Sequence, residues 1–410
     1  MNTNRLLERF LRYMKIDTTA NPNAEGYPSS PGQLEFGRLL AEELRNIGLA
    51  DAKQNAHGII LATIPATVKH NAPTVAFCSH LDTSPEAPGK NVRPQVIRDY
   101  AGGDIALPGD RSKVIRVAEN PELEKMRGRT LITSDGTTLL GADDKAGVAI
   151  IMETVEWLVE HPEIAHGPVR ICFTCDEELG RGVAKLRVED LNATVCYTLD
   201  GGSSNEIDTE TFSADQAIVV VEGVNIHPSI AKNRMTNAVR AASAFIDRLP
   251  RDRLAPEATA DREGFLHPFD ISGGVGEVTI KMLLRDFDAA NLADQADLLR
   301  KIAAEVVREY PAAKIAVNVS KQYRNMAEGL KNEPRAVGFA EEALRRLGRT
   351  AKKTIVRGGT DGSQLTELGL PTPNLSCGGH AAHSPLEWAC LEEMVESAEW
   401  IVSLVQVWAE

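Results

Sequence analysis

Apolar positions recur along this chain at two different periods. Over residues 6–15 and 33–47 they return every third or fourth residue, which predicts two amphipathic helices, the second stopped by Gly48. Over residues 74–79, 169–174 and 194–199 they form short unbroken runs, the pattern of strands buried on both faces. Residues 145–160 set Val148, Ile151, Val155 and Leu158 at helical spacing. A strand–helix–strand order of this kind predicts an α/β domain with a largely parallel, mixed sheet flanked by helices. A polar stretch at residues 85–129, rich in Gly, Pro and charge, interrupts the order and reads as an excursion with short strands.

The middle of the chain changes pattern. Residues 216–222 alternate as a strand, and residues 228–249 read as a helix with Pro228 at its start. A strand over 274–287, a helix over 288–310 and a strand over 314–323 follow. Together they predict an inserted α+β domain, because α/β patterning then resumes. A helix over 333–347 and strands over 354–357 and 372–377 precede a last amphipathic helix from Leu386 towards Trp408. The expected organisation is one domain built from residues 1–211 and 324–410, with residues 212–323 inserted as a second.

Composition narrows the function classes. The 410 residues are 43% hydrophobic and 25% charged, a globular composition with enough apolar material for two cores. Fifty-eight acidic against 45 basic residues give a net charge of −13, and no Lys/Arg block breaks that balance. A nucleic-acid or anionic-membrane partner is therefore not expected. No apolar run is long enough to span a bilayer, and Met1 leads into an amphipathic pattern without a signal core, so a cytoplasmic location is expected. Six cysteines are too few for a disulfide framework. Cys172 and Cys175 form a C-x-x-C, but residues three apart on a strand face opposite ways, which argues against a zinc knuckle or redox pair.

Chemistry-bearing residues follow directly on the predicted strand ends. His80 and Asp82 follow one, Asp176, Glu177 and Glu178 a second, and Asp200 a third; His383 lies beyond Gly378-Gly379 after a fourth. In a parallel sheet these ends share one edge, where ligands bind. Asp143 and Asp144 sit in a glycine-flanked turn at a helix start, where negative charge is favoured. Packed together, so many carboxylates repel and raise one another's pKa, and a divalent cation removes the conflict. Mixed imidazole and carboxylate donors suit Zn²⁺ or a similar metal, and two His with three acids suit two ions sharing one carboxylate. One further carboxylate is needed to move protons. Taken singly the pieces mean little, for Glu-Glu occurs four times, but only Glu177-Glu178 directly follows an apolar strand.

These residues, in this order and spacing, resemble the di-zinc peptidase/deacylase family that includes carboxypeptidase G and aminoacylases. The motifs Thr138-Leu139-Leu140-Gly141-Ala142-Asp143-Asp144-Lys145, Ile226-His227-Pro228, Arg285-Asp286-Phe287-Asp288 and Arg357-Gly358-Gly359-Thr360-Asp361-Gly362 are similar to its tripeptide-aminopeptidase branch. The resemblance implies two Zn²⁺ per subunit, with Co²⁺ or Mn²⁺ as substitutes, and Asp143 bridging them. His80 and Asp200 would complete one site, Glu178 and His383 the other. Glu177 would be the general base, and Asp82 would orient His80, a role that their spacing on one strand face also suggests. The Asp143–Asp144 peptide is expected to be cis. His227 would reach a neighbouring subunit's site in a homodimer formed through the inserted lid domain, and Arg285 or Arg357 would bind a substrate carboxylate.

The implied function is removal of the N-terminal residue from short peptides, tripeptides foremost. The alternatives are a related dipeptidase or N-acyl-amino-acid deacylase and, more distantly, a binding protein that has lost catalysis. One departure stands out. The branch carries aromatic residues after the two glycines, whereas this chain has His380-Ala381-Ala382. His380 thus competes with His383 as a ligand; the His-x-x-x-Glu spacing to Glu387 favours His383.

Overall fold

The computed structural model describes residues 1–410. Contacts divide the chain into two compact units: residues 1–209, 326–354 and 360–410, and residues 210–325 with 355–359.

The larger unit is built on a mixed sheet. Its central strands are Val169–Thr174, Val75–His80, Val195–Gly202 and Asn374–His380, in that order and all parallel. Val75–His80 is buried along its full length, as a strand covered on both faces must be. That is why the sequence shows an unbroken apolar run there rather than alternation. Antiparallel strands extend both sides: Ile60–Ile64 and Lys53–Gln54 beyond Val169–Thr174, and Trp388–Cys390, Leu131–Thr133 and Gln95–Ile97 beyond Asn374–His380. The helices Ala142–Glu160 and Leu391–Trp408 pack on one face with Thr3–Tyr13 and Pro31–Ile47. A second apolar cluster, with Leu191, Leu365 and Leu370, covers the other face. Cys172 belongs to that cluster and Cys175 to the first, so the C-x-x-C pair does point to opposite faces; all six cysteines are free.

Register aligns the strand ends. His80 lies beside Thr174, and Cys78 beside Thr198. Asp82 and Asp176–Glu178, which follow their strands, and Asp200, within the end of Val195–Gly202, therefore lie at one edge of the sheet.

The smaller unit is a four-stranded antiparallel sheet, ordered Phe265–Gly273, Glu277–Asp286, Ser213–Glu222, Lys314–Tyr323. Ala217, Val219 and Val221 face inward, and helices Ala238–Asp247 and Ala289–Glu309 cover them. This one-sided burial produces the alternation seen in the sequence.

Several elements differ from the sequence expectation. The helix expected over 228–249 is a 3-10 turn, Pro228–Ile230, and a separate helix, Ala238–Asp247. Between them Asn233 takes a positive φ of 60° and Thr236 bridges to Val224, which breaks the helical path. Asn237 then caps the second helix by accepting from Val239 N at 2.9 Å. The strand Phe265–Gly273 is additional to the expected elements; its Pro268 confines it to the sheet edge, beside an irregularity in pairing. Ile60–Ile64 is likewise additional, and the last helix starts at Leu391, after the short strand Trp388–Cys390. The excursion contains short strands, as expected, and closes with the 3-10 turn Pro121–Met126. No helix is long and apolar enough to cross a membrane.

Candidate metal centre and active site

The larger unit gathers seven of the ten predicted site residues at its sheet edge. His80 ends its strand and is nearly fully buried. Its Nε2 lies 2.9 Å from Asp143 Oδ1 and 3.6 Å from Asp200 Oδ1. Its Nδ1 lies 3.1 Å from the main-chain oxygen of Asp82 and 3.5 Å from Asp82 Oδ1. Asp82 also reaches across to the acidic turn, where its two carboxylate oxygens accept the main-chain N–H groups of Glu177 and Glu178, each at 3.1 Å. A carboxylate accepts only, so Asp82 fixes both the imidazole and the acidic turn opposite it.

Asp143 stands between two clusters. Its Oδ2 lies 3.2 Å from His383 Nε2, and that nitrogen lies 2.9 Å from Glu178 Oε2. Glu86 Oε2 faces the other His383 ring nitrogen at 3.3 Å. His80, Asp143 and Asp200 form one group of potential metal ligands, and Asp143, Glu178 and His383 a second; within each, the donor atoms lie within 4.8 Å of one another. Asp143 is common to both. The Asp143–Asp144 peptide is cis.

Buried Glu387 holds this turn in place. Its Oε2 accepts from Leu140 N at 2.8 Å and Gly141 N at 2.7 Å, and its Oε1 from Asp143 N at 3.0 Å. Asp144 in turn accepts from His80 N at 3.1 Å. Asn374 Oδ1 accepts from Asp200 N at 3.0 Å.

The electrostatics call for a cation. Burial, then the Asp143 charge, pushes Asp200 up to about 7, and the same causes push Glu178 up to about 7. Burial raises Glu177 well above the usual carboxylate range. Burial would raise half-buried Asp143 as well, but His383 and His80 outweigh that and hold it low. Hydrogen bonds to Asp143 and Glu178 lift His383 to about 11. Burial works against a proton on His80, yet Asp143, Asp200 and Asp82 raise it well above its ordinary value. Carboxylates so crowded favour either protons or a metal ion. Glu178 Oε1 is buried without a partner, as an oxygen awaiting a ligand would be. The imidazole–carboxylate donor set suits a first-row transition metal.

His380, the competing ligand, lies outside both groups. Its Nε2 is 2.7 Å from Glu393 Oε2, and its ring stacks on Trp388 at 3.8 Å with an interplanar angle of 2°. It lines a cavity of about 480 Å³ that Asp143 and Asp200 also border.

The three remaining predicted residues belong to the smaller unit. His227 is exposed, with Nδ1 2.7 Å from Ser229 Oγ; it caps the 3-10 turn Pro228–Ile230 rather than starting a long helix. Arg285 donates to the main-chain oxygens of Asp215 (3.2 Å) and Leu284 (3.1 Å). Arg357 donates to those of Asp261 and Glu263, both at 2.9 Å, and to Thr259 Oγ1 at 3.0 Å.

Sequence reasoning names Asp176 only within the acidic turn, and Asp361 and Glu387 only within motifs, and misses the supporting role of all three. Asp176 accepts from Ser29 N, Gln33 Nε2 and Arg181 Nη2, tying the acidic turn to the N-terminal segment. Asp361 accepts from Thr174 Oγ1 at 2.6 Å beneath the same turn. In the sequence Glu387 is only a spacing mark for His383, and its three main-chain contacts leave no trace there.

Comparison with known proteins agrees with this geometry. The sequence model of peptidase family M20/M25/M40 matches residues 135–407. The chain is 42% identical over 405 residues to a Peptidase T of Geobacillus thermodenitrificans, covering 99% of this chain and 98% of that protein. Two solved structures share its fold over its whole length. One is an aminopeptidase from Bacillus cereus, at 24% identity and a TM-score of 0.76 with 100% of both chains covered. The other is a tripeptidase from Staphylococcus aureus, at 24% identity and a TM-score of 0.78 with 100% of this chain and 99% of that one covered. On the family match and the 42% identity over nearly its full length, the chain belongs to peptidase family M20/M25/M40.

Proposed function

We propose that this protein is a two-metal aminopeptidase that removes the N-terminal residue from short peptides, tripeptides foremost. The observation that carries the reading is Asp143, shared by two three-residue donor groups while Glu177 belongs to neither. His80, Asp143 and Asp200 would hold one ion, and Asp143, Glu178 and His383 the other, with Zn²⁺ as the resident metal. When bound, such ions lower the pKa of water towards about 7 and polarise a carbonyl.

Glu177 is the proton carrier. Its carboxylate takes a proton from the attacking water and returns it to the leaving amine nitrogen. Burial, which raises its pKa, favours the first protonation and keeps the proton at hand for the second half of that transfer. Asp82 holds the main-chain N–H of Glu177 and thereby aims the base. His227 reaches a second copy's site in a homodimer and donates to the developing oxyanion. Arg285 and Arg357 already serve main-chain oxygens of their own unit.

The tripeptidase named among the solved structures supports the peptide length, and the Peptidase T relative supports the branch. The test is product analysis by mass spectrometry. Zinc-loaded protein is given a free tripeptide, dipeptide, tetrapeptide and N-acetyl-tripeptide. Release of the first residue from the free tripeptide is expected. Cleavage of the acetylated peptide would make the protein a deacylase instead. Glu177→Gln should lose turnover by about 10²–10⁴-fold while keeping its metal; retained turnover would remove Glu177 from the mechanism.

A further inference from the structure

Two imidazoles stand in the metal centre, and the structure holds them differently. The His80 ring is 2% exposed, and its Nδ1 faces Asp82. The His383 ring is 37% exposed. It stands on a loop whose backbone is left-handed at both Ala381 (φ 52°) and His383 (φ 63°), a conformation uncommon outside glycine. Ser384 Oγ donates to Ala381 O at 3.0 Å and Glu387 N to Ser384 O at 3.2 Å, which fixes the main chain there. Those bonds leave the ring free to rotate about its own side-chain bonds. Its Nε2 points at Asp143 and Glu178, and its Nδ1 at Glu86 Oε2, 3.3 Å away.

Glu86 reaches His383 from a short stretch of chain that also carries His80 and Asp82. Its side chain is 69% exposed, but its backbone is anchored on both sides. Ser84 and Ala87 are buried, and Ser84 Oγ accepts from Glu86 N at 3.3 Å. Pro88 O accepts from Leu139 N at 3.0 Å, tying the stretch to the turn that leads into Asp143. Gly89 lies so close to Thr19 that an added Cβ would fall 2.4 Å from Thr19 Oγ1. The carboxylate is therefore carried to His383 by a fixed piece of main chain.

We propose that Glu86 is a positioning residue for His383: its carboxylate accepts the Nδ1 proton, sets the tautomer and turns the Nε2 lone pair towards the ion that Asp143 and Glu178 would also hold. The inference rests on the two-metal reading. An imidazole that binds an ion through Nε2 keeps a single proton, on Nδ1, and a carboxylate can only accept, so the two fit. Residues 80–86 thus supply an orienting carboxylate to each histidine, Asp82 to the buried one and Glu86 to the half-exposed one. His80 keeps its own orienting group when Glu86 is removed, so only one of the two ions should feel the loss.

The experiment titrates zinc out of the wild type, Glu86→Ala and Glu86→Gln with a competing chelator, which reads each bound ion separately and needs no turnover. The wild type is expected to hold two ions. Glu86→Ala should weaken one of them by about tenfold and leave the other unchanged. Glu86→Gln keeps an acceptor oxygen and should recover most of that loss. If it is as weak as Glu86→Ala, the charge of Glu86 acts alone and the positioning role is overturned. Proton NMR of the Co²⁺-loaded proteins gives a second readout, because each imidazole bound through Nε2 carries one exchangeable Nδ1–H resonance shifted by the paramagnetic ion. Two are expected in the wild type and in Glu86→Gln, and one in Glu86→Ala, where the His383 proton is left to water. Two resonances and two unchanged affinities in Glu86→Ala overturn the proposal while the two-metal reading stands. A wild type that binds fewer than two ions overturns that reading, and the proposal with it.

Discussion

Asp82 accepts the main-chain N–H of Glu177 at 3.1 Å, while the Nδ1 of His80 lies 3.5 Å from the same carboxylate oxygen. One buried side chain therefore sets both a candidate ligand and the candidate base. Asp82→Ala would leave the half-buried N–H groups of Glu177 and Glu178 unpaired and free the His80 ring to turn. A fall of about 10–100-fold in metal affinity or kcat is expected, the usual cost of removing a group that orients a ligand. Metal stoichiometry and steady-state kinetics on the same preparation check it; a variant with unchanged kcat and metal content would reduce Asp82 to packing.

Glu387 makes a different prediction, because its contacts are all to main chain. Glu387→Ala leaves three N–H groups at Leu140, Gly141 and Asp143 without their acceptor. At about 1–3 kcal/mol for each unsatisfied buried group, the loss should reach about 3 kcal/mol or more. Glu387→Gln keeps one acceptor oxygen and should recover part of it. Urea denaturation of the three proteins measures the order. Equal midpoints for the alanine and glutamine variants would mean that the turn is held by something else.

The legible part of this site is the part written at strand ends. His80, Asp82, Glu177, Glu178 and Asp200 each follow an apolar run, and the parallel register that brings them to one edge follows from the runs themselves. Asp176 and Asp361 are not legible as contributors because their partners lie far away in sequence: Ser29 and Gln33 for the first, Thr174 for the second. Nothing in local periodicity reports such a pairing. The helix expected over 228–249 fails for a local reason: its composition suits a helix, but Asn233 adopts a left-handed conformation and Thr236 is taken by a bridge to Val224. Phe265–Gly273 is hidden because Pro268 weakens a strand pattern; the same proline fits the edge position where the strand lies. The excursion shows no clear period because it is made of two- and three-residue strands and a turn, each too short for one.

A prediction about stability comes from the N-terminal helix. Fully buried Glu153 accepts from Asn2 N at 3.0 Å, Arg5 Nε at 2.7 Å and Arg9 Nη1 at 3.1 Å. It thus fastens Thr3–Tyr13 to Ala142–Glu160, the helix whose first turn carries Asp143. Glu153→Ala removes that shared acceptor, while Arg9 keeps Glu156 and Arg5 keeps Glu156 and Glu160, so the expected loss is about 1–3 kcal/mol. Denaturant unfolding followed by far-ultraviolet circular dichroism should show that loss. Glu153→Gln, which keeps one acceptor oxygen, should return part of it. If the glutamine variant is no more stable than the alanine one, the lost acceptor is not the cause.

Metal removal should change how stability depends on pH. Without metal, burial and the Asp143 charge push Asp200 and Glu178 up to about 7, from ordinary values of 3.8 and 4.5. An acid whose folded pKa is raised binds protons more readily in the native state, so it contributes stability that is fully present below its unfolded pKa and lost as pH rises through the folded one. His383, raised from 6.5 to about 11, has the same sign over a higher window. Asp143, held low, acts in the opposite direction only below the usual carboxylate range. The metal-free melting temperature is therefore expected to fall between about pH 4 and pH 7 and to keep falling towards alkaline pH. Bound metal competes with those same protons, so its apparent affinity rises over the same range. Thermal melts with and without a chelator should show a gap that widens from about pH 5 to about pH 8. A gap constant with pH would mean that protons and metal are not competing for Asp200, Glu178 and His383, and the two-metal assignment would lose its electrostatic basis.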